Sequence, residues 1–207
     1  MNQHKSKIPL FPTILYQFKI EENLINELDS LIEEDYRFWN NANQYISISD
    51  DAQHLRDHET IKKINENILS EVNNILDDLK LIRDTHFISG MWHNVSSEPY
   101  RHHQHMHPNA FLSGIIYVRT PDKCGPTVFS DPRIQKYVFH PDYSEFNIEN
   151  SPTFTQHPKK GLVVVFPGWL QHCVDNGSMN SREKRITTAF NINLHGNSTL
   201  KTAQLSY

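Results

Sequence analysis

Cysteine is scarce in this chain, and its scarcity excludes a disulfide-stapled fold. The 207 residues include two cysteines, Cys124 and Cys173, with no C-x-x-C spacing. Such usage is typical of proteins that fold in a reducing compartment. Both cysteines are also badly placed for a structural zinc site, which normally takes four ligands. We therefore expect a cytoplasmic protein without disulfides.

Long apolar runs are missing as well. No stretch approaches the roughly 20 apolar residues that a membrane helix needs. The apolar segment Ile8–Tyr16 follows two lysines, but Pro9 and Pro12 interrupt it and no small-residue cleavage site follows. We therefore expect neither a signal peptide nor a membrane partner.

An excess of basic charge is the third feature that the chain lacks. The formal net charge is −4, and no basic run or basic helix face indicates nucleic-acid binding. Residues 20–80 hold fifteen acidic residues against five lysines and arginines, which leaves nine against fifteen elsewhere. The histidine-bearing remainder is thus net basic and mildly favours small anionic ligands. We expect a small-molecule or protein substrate and no nucleic acid, with a homodimer as an open alternative.

The N-terminal part of the chain carries the helical patterns. Apolar residues recur at helical spacing over 22–34 and again over 59–80, which predicts two amphipathic helices. The proline-punctuated segment 8–20 predicts an edge strand or an extended entry segment. A short strand is expected at Tyr45–Ile48.

From residue 83 onward, short apolar and aromatic segments alternate with Pro, Gly, Asn and Asp. This pattern predicts a sandwich or jelly roll. The candidate strands are 85–95, 103–107, 111–119, 126–130, 136–140, 153–156, 161–166, 170–174 and 184–194. We predict an α+β, mainly β fold: a double-stranded β-helix (jelly roll) with the N-terminal helices packed on one sheet. The whole chain, 1–207, is expected to be one domain, with 1–82 as helical support and 83–207 as the jelly-roll core.

Histidine is the residue that stands out, with four of thirteen between His102 and His107. Residues i and i+2 of a strand point to the same face, so His105 and His107 can aim two imidazoles at one metal ion. A solvated polar loop is the competing interpretation. The frame of His103 and His105 is also open, although Pro108 and the Ser-Gly strand that follows favour the later pair. His172, after a buried strand and a Pro-Gly turn, is the best third ligand.

Three ligands with open positions indicate a catalytic metal site, although imidazole ligands alone do not separate zinc from iron. Downstream, Arg185 and Thr187 share one face of a predicted strand. A guanidinium fork and a hydroxyl make a good clamp for a carboxylate. Arg182 is a competing cation, but it lies in a predicted loop.

Together these residues resemble the Fe(II)- and 2-oxoglutarate-dependent oxygenases. That superfamily carries an H-x-D/E…H triad on a double-stranded β-helix, followed by an Arg-x-Ser/Thr pair. The chain is also similar, over nearly its full length, to a narrower family of 2OG-Fe(II) oxygenases common in marine bacteria and their phages. The matching segments are Leu10–Thr13, Trp92–Asn94, His105–Pro108, Ser113–Tyr117, Asp131–Arg133, Phe166–Val174 and Arg185–Asn191.

The resemblance implies an oxidoreductase that uses Fe(II) as metal and 2-oxoglutarate as cosubstrate, releasing succinate and CO2 while hydroxylating a substrate. It implies His105, His107 and His172 as iron ligands. Arg185 and Thr187, assisted by Tyr117 and Asn94, would bind the cosubstrate. One position departs from the wider superfamily, because His107 stands where an aspartate or glutamate is usual. That exchange raises the net charge of the metal site by one.

Two other functions stay open at this point. Gly161, Pro167, His172 and Asn176 fit much of the second cupin motif, so a cupin-like metalloenzyme that ignores 2-oxoglutarate is one alternative. The glutamate expected soon after the H-x-H pair of such an enzyme is absent from 108–114. The other alternative is a non-enzymatic, metal-bearing jelly roll that serves as an interaction module. Such a module would not need Arg185 and Thr187.

Overall fold

The computed structural model describes most of the chain, namely residues 6–38, 46–47, 55, 57–81, 85–96, 101–133, 138–139, 141–180 and 182–195. Along these ranges the order of elements is a strand, a helix, a two-residue strand, a second helix and then eight strands. No helix within them is long and apolar enough to cross a membrane.

Both predicted helices are present. Helix α1 spans Glu22–Phe38 and helix α2 spans Glu59–Asp78. At the start of α2, Nδ1 of His58 accepts a hydrogen bond from the Thr60 backbone N–H at 3.3 Å, which satisfies one of the unpaired donors of the first turn. Just after α2, Lys80 adopts a φ of 54°, a left-handed conformation that does not continue a helix.

Six strands, numbered in chain order, form the larger antiparallel sheet. In spatial order they are β1 (Tyr16–Lys19), β8 (Leu162–Pro167), β5 (Leu112–Arg119), β10 (Arg185–His195), β3 (Thr85–Ser96) and β2 (Ile46–Ser47). The first and last of these are the edge strand and the short strand that the sequence predicts. The N-terminal part of the chain therefore contributes strands to this sheet as well as helices.

Four strands form the smaller sheet, in the order β4 (His102–His105), β9 (His172–Val174), β6 (Thr127–Ser130) and β7 (Thr153–Gln156). All their pairings are antiparallel. The mainly β class with two helices is thus confirmed.

Two of the predicted strands differ from the observed ones by two residues at one end, and a third has no observed counterpart among the described residues. The strand predicted at 103–107 ends at His105, because the backbone N–H of His107 bonds to the Gly168 carbonyl instead of a ladder partner. The strand predicted at 170–174 begins two residues late, because Leu170 N–H closes a turn onto the Pro167 carbonyl. The strand predicted at 136–140 falls largely outside the described residues, of which 138–139 form a bend.

The two faces of the larger sheet bury two different cores. One face packs against the helices, where Ile64 of α2 and Phe190 of β10 are both fully buried. The other face packs against the smaller sheet through Tyr117, Phe129 and Phe166. The arrangement is a helical layer, a six-stranded sheet and a four-stranded sheet, as the predicted packing of helices on one sheet requires. His105, His107 and His172 lie between the two sheets.

Among the described residues, His93 is the histidine with no exposure at all. Its Nδ1 lies 2.7 Å from Oγ1 of Thr188 on the helix-facing side of the larger sheet. Burial lowers the pKa of His93 to about 3. In the unfolded chain that pKa is about 6.5.

This depressed pKa predicts acid sensitivity. Because the unfolded state binds the proton first, the stability contributed by neutral His93 is complete above about pH 6.5 and is lost as pH falls toward about 3. With a chelator present, we expect His93→Leu to reduce the loss of unfolding free energy between pH 7 and pH 4 by about 3 kcal/mol. Urea unfolding of the wild type and the variant at each pH measures the free energy of unfolding. The same loss in wild type and variant would contradict the assignment, and His157→Leu, at an exposed position, should behave as the wild type.

Candidate metal centre

Three imidazoles converge between the sheets. One ring nitrogen of His105, one of His107 and one of His172 all lie within 4.8 Å of one another. His105 ends β4 and pairs across the smaller sheet with His172, which begins β9. His107 enters from the loop after β4, where its backbone bond to Gly168 holds it. His107 and His172 are 9% and 3% exposed, so a bound ion would be largely shielded from solvent.

Each of these rings has its Nδ1 occupied by an acceptor. The contacts are His105 to the His103 carbonyl at 2.8 Å, His172 to the Leu170 carbonyl at 3.0 Å and His107 to Oδ1 of Asn191 at 2.6 Å. A carbonyl oxygen can only accept, so each Nδ1 carries the hydrogen. The lone pair is then on Nε2, which is the tautomer that a metal ligand needs.

Burial favours the neutral form of His107 and His172. It lowers the pKa of His172 to about 3 and also lowers the pKa of His107, which the hydrogen bond to Asn191 partly offsets. Neutral imidazole is the form that binds metals. Three converging imidazole nitrogens suit Fe(II), Zn(II) and other divalent transition metals, so the donor set fits the iron that the resemblance implies without selecting it.

Asn191 and Ser113 hold His107 in place. The Ser113 hydroxyl donates to Oδ1 of Asn191 at 2.9 Å and also lies 2.9 Å from Nδ1 of His107. Neither residue is among the site residues that the sequence predicts. Asn191 lies an even number of residues after Arg185 and Thr187 on β10, so its side chain points to the same face of the strand. The period-2 pattern therefore could have predicted that Asn191 faces the site.

This contact makes Asn191 a residue whose loss should weaken metal binding. We expect Asn191→Leu to lower the affinity for a divalent metal by about 10- to 100-fold, as is usual when the hydrogen-bond partner of a metal-binding histidine is removed. Competition against a chromophoric chelator measures the affinity. Asn193→Ala is the matched control, because Asn193 lies on the same strand and accepts from the Phe111 N–H. An equal loss in both variants would mean that the effect is not transmitted through His107.

A cavity opens beside the imidazoles. Its lining from the larger sheet includes Trp92, Asn94, Ser96, Arg185, Thr187 and Ala189, and from the smaller sheet His102, His105, His172 and Val174. Across strands β3 and β10, Trp92 pairs with Ala189, Asn94 with Thr187 and Ser96 with Arg185. The cavity thus extends along β10 from Ala189 to Arg185. Among the described residues that line it, none is acidic.

Arg185 lies in this lining with 5% exposure. Its Nε donates to the Gly125 carbonyl at 3.2 Å, and its Nη1 lies 3.5 Å from Oγ1 of Thr187. In the described part of the chain, Arg185 forms no ion pair with a carboxylate. A buried guanidinium without a counter-ion is costly, so this arrangement favours an anionic ligand in the cavity. Arg182, the competing cation, is exposed.

Asn94 and Tyr117 occupy different positions around Arg185. Asn94 lines the cavity next to Thr187, where its side chain can reach a ligand. Tyr117 is fully buried, and its hydroxyl donates to Oγ1 of Thr127 at 2.8 Å. The Tyr117 ring centroid lies 5.9 Å from Cζ of Arg185. The contact of Tyr117 is therefore with Arg185, and its direct contact with a cosubstrate stays a prediction.

The four clustered histidines have different surroundings. His103 is exposed, whereas His102 lines the cavity and stacks on His105 with ring centroids 4.2 Å apart. Residues three apart on a regular strand point to opposite faces, but the ladder between β4 and β9 is irregular between His102 and His105. That irregularity lets both rings face inward. It has no signal in the local sequence, from which the predicted strand begins at residue 103 and leaves out His102.

The sequence matches one protein family. Residues 90–191 match the family described as "Putative 2OG-Fe(II) oxygenase". No curated protein sequence matches the chain. The matched segment begins within β3 and ends within β10, so it contains the three clustered histidines, Arg185 and Thr187.

Several solved structures have a similar fold. A prolyl-4-hydroxylase of Pseudomonas putida superposes with a TM-score of 0.63 at 12% identity, over 89% of this chain and 94% of that one. SnoK, a non-heme alpha ketoglutarate dependent carbocyclase from nogalamycin biosynthesis, gives 0.62 at 10% identity over 87% and 79%. The viral collagen prolyl hydroxylase of Paramecium Bursaria Chlorella virus-1, in its 2OG complex, gives 0.56 at 13% over 86% and 94%. At such identities the likeness concerns the fold alone.

Proposed function

We propose that this chain, whose residues 90–191 belong to the 2OG-Fe(II) oxygenase family, is an Fe(II)- and 2-oxoglutarate-dependent oxygenase. The observation that supports the proposal is a single cavity whose two ends suit the two ends of 2-oxoglutarate. Three imidazoles converge at one end, and a buried arginine without a carboxylate partner among the described residues lies at the other. A keto acid with a second carboxylate fits both ends.

The fold supports the same proposal. We infer that the two facing sheets are the halves of a double-stranded β-helix, with 83–207 as its core and 1–82 as support within one domain. The structures of similar fold include a prolyl-4-hydroxylase and an alpha ketoglutarate dependent carbocyclase.

His105, His107 and His172 would hold Fe(II) through Nε2. When bound, Fe(II) and 2-oxoglutarate supply the oxidising chemistry, in which O2 is consumed, succinate and CO2 are released and a substrate C–H bond is hydroxylated. The protein orients the three rings through their Nδ1 hydrogens. It also limits solvent access by burying His107 and His172 between the sheets.

Arg185 and Thr187 would hold the distal carboxylate of 2-oxoglutarate. The guanidinium offers paired donors, and the Thr187 hydroxyl adds a third. Asn94, which neighbours Thr187 across the sheet, would be within reach of the same ligand. The aromatic ring of Tyr117 would contact the Arg185 guanidinium. Because the site is buried, the attraction between guanidinium and carboxylate is stronger than it would be in water.

His107 in place of a carboxylate gives the iron site a purely neutral protein ligand set. The bound metal then keeps its full charge, which strengthens its attraction for the anionic keto acid and weakens its attraction to the protein. We therefore expect 2-oxoglutarate to raise the apparent affinity for Fe(II).

Turnover of the cosubstrate tests the proposal. Purified protein with Fe(II), 2-oxoglutarate and O2 is expected to form succinate and CO2 in equal amounts, slowly even without substrate. Omission of iron, or its replacement by Zn(II), should abolish the reaction. Iron-loaded protein that binds 2-oxoglutarate but never releases succinate would contradict an oxygenase. A cupin-like enzyme would bind iron and ignore 2-oxoglutarate.

A further inference from the structure

One tight turn supplies a backbone contact and a thiol beside the Arg185 guanidinium. The turn joins β5 to β6 and contains Cys124 and Gly125. The Gly125 carbonyl accepts from Nε of Arg185 at 3.2 Å, and the Cys124 thiol lies close enough to the same guanidinium to interact with it electrostatically. Cys124 is 9% exposed, so this contact is largely shielded from water.

This turn is fastened to the loop between β9 and β10. The Asp175 N–H bonds to the Pro126 carbonyl at 3.0 Å, and the Ser178 N–H bonds to the Lys123 carbonyl at 2.9 Å. Between these two bonds the backbones are in direct contact. A Cβ at Gly125 would lie 2.2 Å from the Asp175 carbonyl oxygen, and one at Gly177 would lie 2.5 Å from the backbone of the turn.

Neither the Gly125 carbonyl nor the Cys124 thiol neutralises the charge of Arg185, so this charge stays available to bind an anionic ligand. A backbone carbonyl is neutral, and burial raises the pKa of the Cys124 thiol, so the thiol stays protonated. An arginine held by neutral acceptors keeps its full charge for a ligand, whereas one paired with Asp or Glu would already be neutralised. The turn thus fixes the position of the guanidinium without reducing its charge.

We infer that Cys124 and Gly125 are positioning residues that set the distance between Arg185 and the metal, and thereby the length of the dicarboxylate that the cavity selects. This inference rests on the proposed function, because it needs a keto acid bound between the three imidazoles and Arg185. A guanidinium whose position is fixed by the backbone cannot shift to meet the distal carboxylate of a longer or shorter keto acid. Selectivity for chain length is therefore the property that the turn controls.

Ligand binding, without turnover, tests the inference. The full chain is loaded with Ni(II), and the affinities for oxaloacetate, 2-oxoglutarate and 2-oxoadipate are measured by calorimetry. Cys124→Val keeps the side chain apolar and similar in size but removes the thiol, whereas Cys124→Ser keeps a polar atom beside Arg185. Gly177→Ser, in the other loop, displaces the turn without touching Arg185. Cys173→Val is the control, because Cys173 lies on β9 outside the cavity lining.

We expect Cys124→Val to weaken 2-oxoglutarate binding by about tenfold, the effect of losing one polar interaction with a charged group, and to reduce the preference over 2-oxoadipate. Cys124→Ser should restore most of that preference, and Cys173→Val should match the wild type. Unchanged selectivity in both Cys124→Val and Gly177→Ser, with nickel content and melting temperature preserved, would overturn the inference. If Gly177→Ser does not fold, the Cys124 pair decides alone. A wild type that binds none of the three acids would overturn the proposed function together with this inference.

Discussion

His172→Ala is expected to lose its metal and, with it, turnover of 2-oxoglutarate. His172 is 3% exposed and lies at the centre of the histidine cluster, with its ring centroid 4.3 Å from that of His105 and 5.1 Å from that of His107. Its removal leaves two imidazoles, which bind iron far more weakly than three converging ligands. We expect the affinity for Fe(II) to fall by more than about 100-fold, beyond the loss caused by removing a ligand's hydrogen-bond partner. Metal analysis of the dialysed protein and succinate release measure the two effects.

His103→Ala is the matched control for this prediction. His103 adjoins the cluster but is exposed, and its contact with His105 is made by its backbone carbonyl, which alanine keeps. We expect full metal content and wild-type succinate release. If His103→Ala loses its metal while His107→Ala keeps it, the ligand frame is His103 with His105, and the assignment of His107 is wrong.

Arg185→Leu is expected to lose 2-oxoglutarate while it keeps its metal. Removing one member of a buried, hydrogen-bonded charge pair costs about 2–5 kcal/mol, which corresponds to about 30-fold or more in affinity. The metal content should stay at the wild-type level, because Arg185 is not part of the histidine cluster. Arg185→Lys should bind with intermediate affinity, since lysine keeps the charge but lacks the planar fork. Calorimetric titration of the Zn(II)-loaded proteins measures these affinities.

Arg182→Ala tests whether the effect belongs to Arg185 alone. Arg182 is exposed three residues before Arg185, outside the cavity lining, so its removal should leave 2-oxoglutarate binding unchanged. A loss of binding in Arg182→Ala together with normal binding in Arg185→Leu would reverse the assignment. Equal losses in both would indicate long-range attraction rather than a clamp.

The residues brought together at the site were accessible to sequence reasoning because each occurs in a recognisable local pattern. His105 and His107 form an H-x-H pair, His172 follows a buried strand and a Pro-Gly turn, and Arg185 alternates with Thr187. The structure places His105, His107 and His172 in one cluster, with Arg185 and Thr187 in the adjoining cavity. Helical periodicity likewise predicted both helices.

The supporting contacts were not accessible in the same way. Asn191 meets His107 across 84 residues, and Gly125 meets Arg185 across 60, so no short window of sequence contains either pair. The inward turn of His102 depends on an irregular ladder. The early end of β4 depends on a backbone bond from His107 to Gly168. All these features depend on which strands pair and in what register, which local patterns do not specify.

Crystals grown without oxygen in the presence of Fe(II) and 2-oxoglutarate test the central claim most directly. Anomalous diffraction at the iron absorption edge locates the metal, and the electron density locates the keto acid. We predict a single iron site bonded to His105, His107 and His172, with the distal carboxylate of 2-oxoglutarate on Arg185 and Thr187. Iron bound by a different set of residues, or 2-oxoglutarate bound away from Arg185, would contradict the account.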